Sequence, residues 1–353
     1  MSVVAAHRAM TSPGYEEIRV RRGRRSGVTM AIAIHRTVAG RALGGLRMYP
    51  YESEDAAIAD VERLARAMTF KAAAAGLKLG GAKAVIALAP GAPPTGRRRE
   101  DVLRDFAELV ESLGGRYITA QDVGTSQQDI VFLSRFTEHL SGRPIPDGGA
   151  GDPSPYTAHG VEVGIRASVK AQLSGRQIVV IGLGHVGSQL ARRLAGAGAR
   201  LTVTDADPAK RALAEQLGAA WVAPEQALAL PADVLAPCAL GAILNEHSIP
   251  ALQVPVVAGA ANNQLADDAL ADALRDRGIV WAPDFVINAG GLIAVADELH
   301  GFNPGRVQDA IEQLADTLTE IYGRAAQRQT NTLTAAMQLA AQRLTGGADG
   351  NDS

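Results

Sequence analysis

The chain has 353 residues, of which 47% are hydrophobic and 20% charged, a composition that excludes a disordered protein and leaves length for two domains. The formal net charge of −2 gives no electrostatic ground for a nucleic acid or an anionic membrane as partner. A single cysteine, Cys238, excludes an internal disulfide framework and a multi-cysteine metal site; no apolar run approaches the ~20 residues of a membrane span, residues 1–8 carry no secretory core, and the expectation is a cytoplasmic protein without a metal.

In chain order, the first 50 residues read as short strands joined by turns, one of them over 28–34. Arg19, Arg21, Arg22, Arg24 and Arg25 cluster around Gly23; with no aromatic residues interleaved for base stacking, they read as a solvated hairpin turn. Ser53 has the character of an N-cap, followed by Glu54 and Asp55 where a helix dipole favours negative charge. Ile58, Val61, Leu64, Ala65 and Met68 keep a three-and-four spacing, which predicts a helix carrying Lys71 near its C-terminal end. Gly80-Gly81 reads as a turn that bears Lys83 and opens a strand over 84–88. A Pro/Gly/Arg-rich loop over 90–99, a helix over 101–113 and a strand over 116–120 ending near Asp122 follow.

Lys71 and Lys83, twelve residues apart, are the most informative pair. Taken singly, each is a solvated surface lysine. Converging on one cleft, one ammonium can hold a substrate carboxylate while the other, desolvated, loses its proton and serves as a base.

The stretch 142–155, dense in Gly, Pro and Asp, marks a domain boundary. Beyond it come a helix over 156–172, an apolar strand over 177–181, and Gly182-Leu183-Gly184-His185-Val186-Gly187 opening a second helix. Strands over 200–204, 233–236, 255–258 and 279–281 alternate with helices over 208–217 and 265–276, which implies a parallel sheet covered on both faces. Helices over 290–299, 304–326 and 330–344 complete the chain, with a disordered tail over 345–353.

A glycine triplet between a buried strand and a helix is the context that gives G-x-G-x-x-G its meaning. The first glycine turns the chain, the second admits a pyrophosphate, and the third packs helix on strand. Asp205 ends the next strand, where a carboxylate accepts from an adenosine ribose and repels a 2′-phosphate; Ala206 and Asp207 add no cation, so NAD is favoured over NADP, with Lys210 near the ribose edge. His185 reads as solvent-facing.

These segments resemble the amino-acid dehydrogenases of the glutamate/leucine/phenylalanine/valine superfamily over about residues 15–345. The likeness rests on Ala42-Leu43-Gly44-Gly45-Leu46-Arg47-Met48, Met68-Thr69-Phe70-Lys71, Gly80-Gly81-Ala82-Lys83-Ala84-Val85-Ile86, Gly114–Thr119 and Asp122-Val123-Gly124-Thr125. It continues in Ala236-Pro237-Cys238-Ala239-Leu240-Gly241, Gly259-Ala260-Ala261-Asn262-Asn263-Gln264 and Ala282–Gly291. By resemblance, Lys71 binds the α-carboxylate, Lys83 activates water, and Asp122 moves protons on and off the amine. Gly44, Gly45, Met68 and Asn263 join the substrate site. Arg47, Thr157, Cys238, Ala239, Ala261 and Asn262 approach the cofactor beside the glycine turn, although Cys238 reads on its own as a small buried packing residue.

The expected fold is α/β with two domains, a Rossmann-type doubly wound parallel sheet for NAD and an α/β substrate domain, with a cleft between them. Residues 1–145 form the substrate/catalytic and oligomerisation domain, 146–327 the NAD domain, and 328–353 a helical return to the first domain plus the tail. The expected reaction is NAD-dependent oxidative deamination of an apolar L-amino acid to a 2-oxo acid, ammonia and NADH, and its reverse, by a homo-oligomer. Repulsion from Lys71, assisted by burial, is expected to lower the Lys83 pKa. Glutamate-specific members resemble one another in a lysine where this chain has Leu43; against Leu43 a distal carboxylate would be buried unpaired. With Ala120, Leu292 and Val295 it forms an apolar side-chain pocket by resemblance, which favours a leucine/valine-type substrate, with phenylalanine as the alternative. A 2-hydroxy-acid dehydrogenase would need a His–carboxylate pair and an arginine clamp in place of the lysines, and a non-catalytic NAD sensor would be expected to lose Lys71, Lys83 or Asp122.

Overall fold

A computed structural model describes residues 8–10, 14–239 and 241–346. The readings made for residues 1–7, for Leu240 and for the tail beyond Gly346 lie outside the described residues. By their internal contacts the chain divides into two units, the first of residues up to Asp152 with Val295–Asn303 and the segment from Leu344, the second of Pro153–Ala294 and Pro304–Arg343. The division therefore falls seven residues later than the expected 145, and most of the last helix groups with the second unit.

In the first unit, strands β1 (Arg8–Met10), β2 (Glu17–Arg22), β3 (Thr29–Arg36), β4 (Ala42–Pro50), β5 (Gly80–Leu88) and β6 (Tyr117–Gln121) form one sheet in the order β1-β2-β3-β5-β4-β6. The first three strands and β5 pair antiparallel, whereas β4 runs parallel to both β5 and β6. Because strand side chains alternate between faces, the sheet buries two layers. Met30, Ile32, Leu46, Ile86 and Tyr117 pack with Val102 and Phe106 of helix α2 (Gly96–Glu111) on one side. Ala31, Ala33 and Val85 pack with Ala57, Val61 and Ala65 of helix α1 (Glu54–Ala74) on the other.

Helix α1 begins where Ser53 accepts a hydrogen bond from the Ala56 amide, a cap worth about 1 kcal/mol. Gly80-Gly81 is not a turn but the start of β5, and the reason is close approach: a methyl on Gly81 would fall 2.0 Å from the Thr69 amide nitrogen of α1. The expected loop over 90–99 ends at Thr95, since α2 starts at Gly96 and Arg99 already reaches Asp129 and the Gly124 carbonyl from within the helix. The arginine cluster is not simply solvated. Arg21 is buried against Glu108, and Arg25 pairs with Asp105 and Glu108 of α2.

In the second unit, β7 (Gln177–Ile181), β8 (Arg200–Thr204), β9 (Ala220–Trp221), β10 (Val234–Pro237), β11 (Val256–Val257) and β12 (Val280–Trp281) are all parallel, in the order β12-β11-β10-β7-β8-β9. This is the doubly wound order, with the switch point between β7 and β10. Helix α3 (Gln127–Leu133) belongs to the first unit, next to α2 and β6, whereas α4 (Ser154–Val169) and α5 (His185–Gly196) lie in the second, with α5 against β7 and β8. The helix expected over 265–276 is shorter, Leu270–Asp276, because Leu265 bridges Leu244 in extended pairing and Asp267 caps the turn that follows. The helix over 304–326 is two, Pro304–Glu312 and Leu314–Arg328, and Thr345 and Gly346 belong to the last helix, Thr332–Gly346.

Candidate active site

The α1 face of the first sheet carries a charged site in its middle. Lys83 lies on β5 two residues beyond Gly81, so its side chain projects toward the α1 side, and Thr69, packed on Gly81, stands two residues before Lys71. The predicted lysines thus belong to one side of the sheet. Lys83 is 5% exposed, and its Nζ lies 2.9 Å from Asp122 Oδ2. Asp122 sits just past the carboxyl end of β6, in a turn pinned by Thr125, whose Oγ1 accepts from the Asp122 amide and donates to Leu46 O. Space for the pair comes from Gly45 on β4, where a methyl would meet Asp122 Cβ at 2.8 Å and Lys83 Nζ at 3.3 Å.

The charges alternate outward from Lys83. Arg47 Nε donates to the same Asp122 Oδ2 at 3.2 Å, and its Nη1 donates to Asp60 Oδ2 at 3.0 Å. Asp60, on α1, also accepts from the Tyr51 hydroxyl at 2.7 Å and from Arg63. Burial drives the Lys83 pKa below the ordinary lysine value; Asp122 opposes this, and the Arg47 charge adds to it. Arg47 acts as a repelling cation beside Lys83, because it shares the oxygen that Lys83 touches. Desolvation pushes the Asp122 carboxyl up, but Lys83 and then Arg47 outweigh it and hold Asp122 below its ordinary value. The result is a carboxylate beside an amine that holds its proton less tightly than a solvated lysine does. Sequence reasoning missed Asp60 and Tyr51; the only signal was a carboxylate within an otherwise small and apolar stretch of α1.

Of the expected side-chain pocket, Leu43, Ala120 and Val295 lie in the first unit and Leu292 in the second, all at most 8% exposed. Leu43 is paired between Gly81 and Ile118, and Ala120 lies beside Gly45. Gly44 shares this stretch of β4, and Met68 is half-buried on α1.

The glycine turn occupies the second unit. Gly182 has φ +97°, and a methyl on it would meet Ala239; one on Gly187 would fall 1.9 Å from the Gly182 carbonyl. Leu183 is buried, leaving its backbone to the turn, and its amide donates to Asp205 Oδ2 at 2.6 Å. The other Asp205 oxygen accepts from the Asp207 amide at 2.8 Å. Gly184 caps α5, and His185 and Val186 open it, with His185 exposed. The first-turn amides of α5 have no partner within the helix, and the cradle and the Asp205 carboxylate fit a dinucleotide's pyrophosphate and ribose.

Lys210 closes the short 3-10 turn Pro208–Lys210 after exposed Ala206. Cys238 is tied by its amide to Ile181 O and lies against Gly187 of the glycine turn, and desolvation pushes its thiol up to about 12, as suits a packing residue. Thr157 is on the first turn of α4 against Gly291. Ala261, Asn262 and Asn263 form the loop after β11, with Asn263 left-handed at φ 51°. Asn288, given no role by the sequence, donates to Asn262 Oδ1 at 2.8 Å and to Ala260 O, and so orients that loop.

The chain is similar to known proteins along most of its length. A model described as Glu/Leu/Phe/Val dehydrogenase, dimerisation domain, matches residues 15–139, and one described as Glutamate/Leucine/Phenylalanine/Valine dehydrogenase matches 206–348. The NAD binding domain of D-isomer specific 2-hydroxyacid dehydrogenases matches 159–250, the glycine-turn region without the lysines. The leucine dehydrogenase of Bacillus cereus is 43% identical over 336 residues, 94% of this chain and 91% of that protein. The valine dehydrogenase of Streptomyces virginiae is 43% identical over 340 residues, 94% of each chain. The crystal structure of L-tryptophan dehydrogenase from Nostoc punctiforme matches with a TM-score of 0.83 at 37% identity, covering 95% of this chain and 97% of that one. With the lysine–aspartate site on one unit and the glycine turn on the other, the chain belongs to the Glu/Leu/Phe/Val dehydrogenase family.

Proposed function

We propose that the chain catalyses NAD-dependent oxidative deamination of an apolar L-amino acid of the leucine/valine type to the 2-oxo acid, ammonia and NADH, and the reverse reductive amination. The observation that carries this reading is the buried Lys83 paired with Asp122, with Lys83 held below its ordinary pKa. The dinucleotide is held by Gly182, Gly184, Gly187 and Asp205, with Arg47, Thr157, Ala239, Ala261 and Asn262 toward its nicotinamide end. When bound, NAD supplies the hydride acceptor.

Lys71 and Asn263 grip the α-carboxylate and orient the Cα hydrogen, a positioning role. The Asp122 carboxylate takes a proton from the substrate ammonium, and loss of the hydride from Cα then leaves an iminium substrate. Neutral Lys83 takes a proton from the water that attacks it. Asp122 returns the proton it took from the substrate ammonium to the amine of the resulting carbinolamine, and ammonia leaves as the hydroxyl proton is lost to solvent and the 2-oxo acid forms. Leu43 leaves a glutamate side chain without a cation, and Ala120, Leu292 and Val295 keep the pocket apolar. One methylene in such a pocket changes discrimination by only ~1–3 kcal/mol, so neighbouring apolar substrates overlap; the tryptophan dehydrogenase relative makes an aromatic substrate the second reading.

The dimerisation-domain match over 15–139 supports a homo-oligomer. Among the described residues no helix is long and apolar enough to cross a membrane; cytoplasmic location belongs to this proposal. Initial rates of NADH formation with leucine, valine, phenylalanine and glutamate test the reading. Turnover is expected to be highest with leucine or valine and least with glutamate; NAD binding without turnover of any amino acid would overturn it.

A further inference from the structure

We propose that Asp60, together with Tyr51, is a positioning residue that holds Arg47 against the catalytic carboxylate of Asp122. The inference rests on the proposed function and assigns a part to a residue that touches neither Lys83 nor Asp122. Asp60 Oδ2 receives both Arg47 Nη1 at 3.0 Å and the Tyr51 hydroxyl at 2.7 Å, while Asp60 Oδ1 receives Arg63 at 2.7 Å. Three donors from three elements thus fix the carboxylate: Arg47 from β4, Tyr51 from the link between β4 and α1, and Arg63 from α1 itself. Fixed in this way, Asp60 sets the direction of the Arg47 guanidinium, whose Nε then reaches Asp122 Oδ2.

Arg47 and Lys83 compete for one oxygen. Every part of the Asp122 charge taken up by Arg47 is withdrawn from Lys83, which eases deprotonation of the amine. The charged groups around Lys83 are Asp122 after β6, Arg47 on β4, Asp60 with Arg63 behind it on α1, and Lys71 at the end of α1. Among them Arg47 favours the neutral amine and Asp60 the charged one. With Arg47 released, Asp122 pairs with Lys83 alone, which keeps the proton on the amine.

The test is the pH profile of kcat in Asp60→Asn and Tyr51→Phe, beside wild type and Lys83→Ala, using the full chain with NAD and leucine. Asp60→Asn is expected to lower kcat on the order of 10²-fold with little change in KM. Its acid limb should move to higher pH by about one unit, and Tyr51→Phe, which removes a single bond to Asp60, should move it part of the way. Acid limbs coincident with wild type in both variants, or displaced to lower pH, would overturn the proposal, as would a loss confined to KM or to thermal stability. Lys83→Ala separates the two readings. If it is inactive while Asp60→Asn keeps the wild-type profile, only this inference fails; if it turns over at the wild-type rate, the reading of the site itself fails.

Discussion

Gly45→Ala is the smallest change that reaches the proposed chemistry. Gly45 lies inside β4, in register with Ala120 of β6 and between residues paired to both neighbouring strands, so the backbone has little freedom to retreat. The added methyl would fall 2.8 Å from Asp122 Cβ, 3.0 Å from the Gln121 carbonyl and 3.3 Å from Lys83 Nζ. Carbon atoms pack comfortably at ~3.5–4.0 Å, so Asp122 must withdraw by roughly 1 Å. That displacement undoes the 2.9 Å contact with Lys83. A misplacement of ~1 Å costs on the order of 10²-fold in rate, and forcing an extra methyl into a packed site costs about 1–3 kcal/mol of stability. The assay is NADH formation at saturating leucine and NAD, with thermal denaturation and NADH fluorescence titration alongside. A folded variant that binds NADH but turns over ~10²-fold more slowly is the expected outcome. A kcat within about threefold of wild type would refute the argument that Gly45 is the space in which the Lys83–Asp122 pair is built.

Two further outcomes follow from charge. Burial, opposed by Asp122 and helped by Arg47, places the Lys83 pKa below the ordinary 10.5, and Asp122 stays ionised because its own pKa is lowered. In the deamination direction kcat/KM should therefore rise with pH through one limb lying below 10.5 as Lys83 loses its proton; a limb at or above the free-lysine value would contradict this. Asp205, whose carboxylate bridges the Leu183 and Asp207 amides, should on replacement by Ala weaken NAD binding roughly tenfold and narrow the preference over NADP. Fluorescence titration with both reduced cofactors measures this, and unchanged affinities would remove Asp205 from the ribose site.

Much of the site was legible because its local signals are strong. Ser53, Glu54 and Asp55 announce the start of α1, the three-and-four spacing carries it to Lys71, and the apolar run before Gly182 identifies the turn as a dinucleotide cradle. The misreadings share a cause. Gly80-Gly81 has the composition of a turn, but Gly81 is there for the backbone of α1 and Gly80 for the Arg36 carbonyl at the end of β3, neighbours that local sequence does not reveal. Leu265 was read into a helix because its pairing with Leu244 is a contact between distant segments. The Arg47–Asp60–Tyr51 set was invisible for the same reason, since thirteen residues separate Arg47 from Asp60 in sequence while a strand and a helix bring them within hydrogen-bond reach.

Lys83→Ala, assayed for NADH formation with leucine or valine and for NADH binding on the same sample, tests the central claim most directly. The account predicts a folded protein that binds NADH as wild type does and shows no turnover. Undiminished turnover would contradict it, because the buried amine beside Asp122 could then not be the base that activates water.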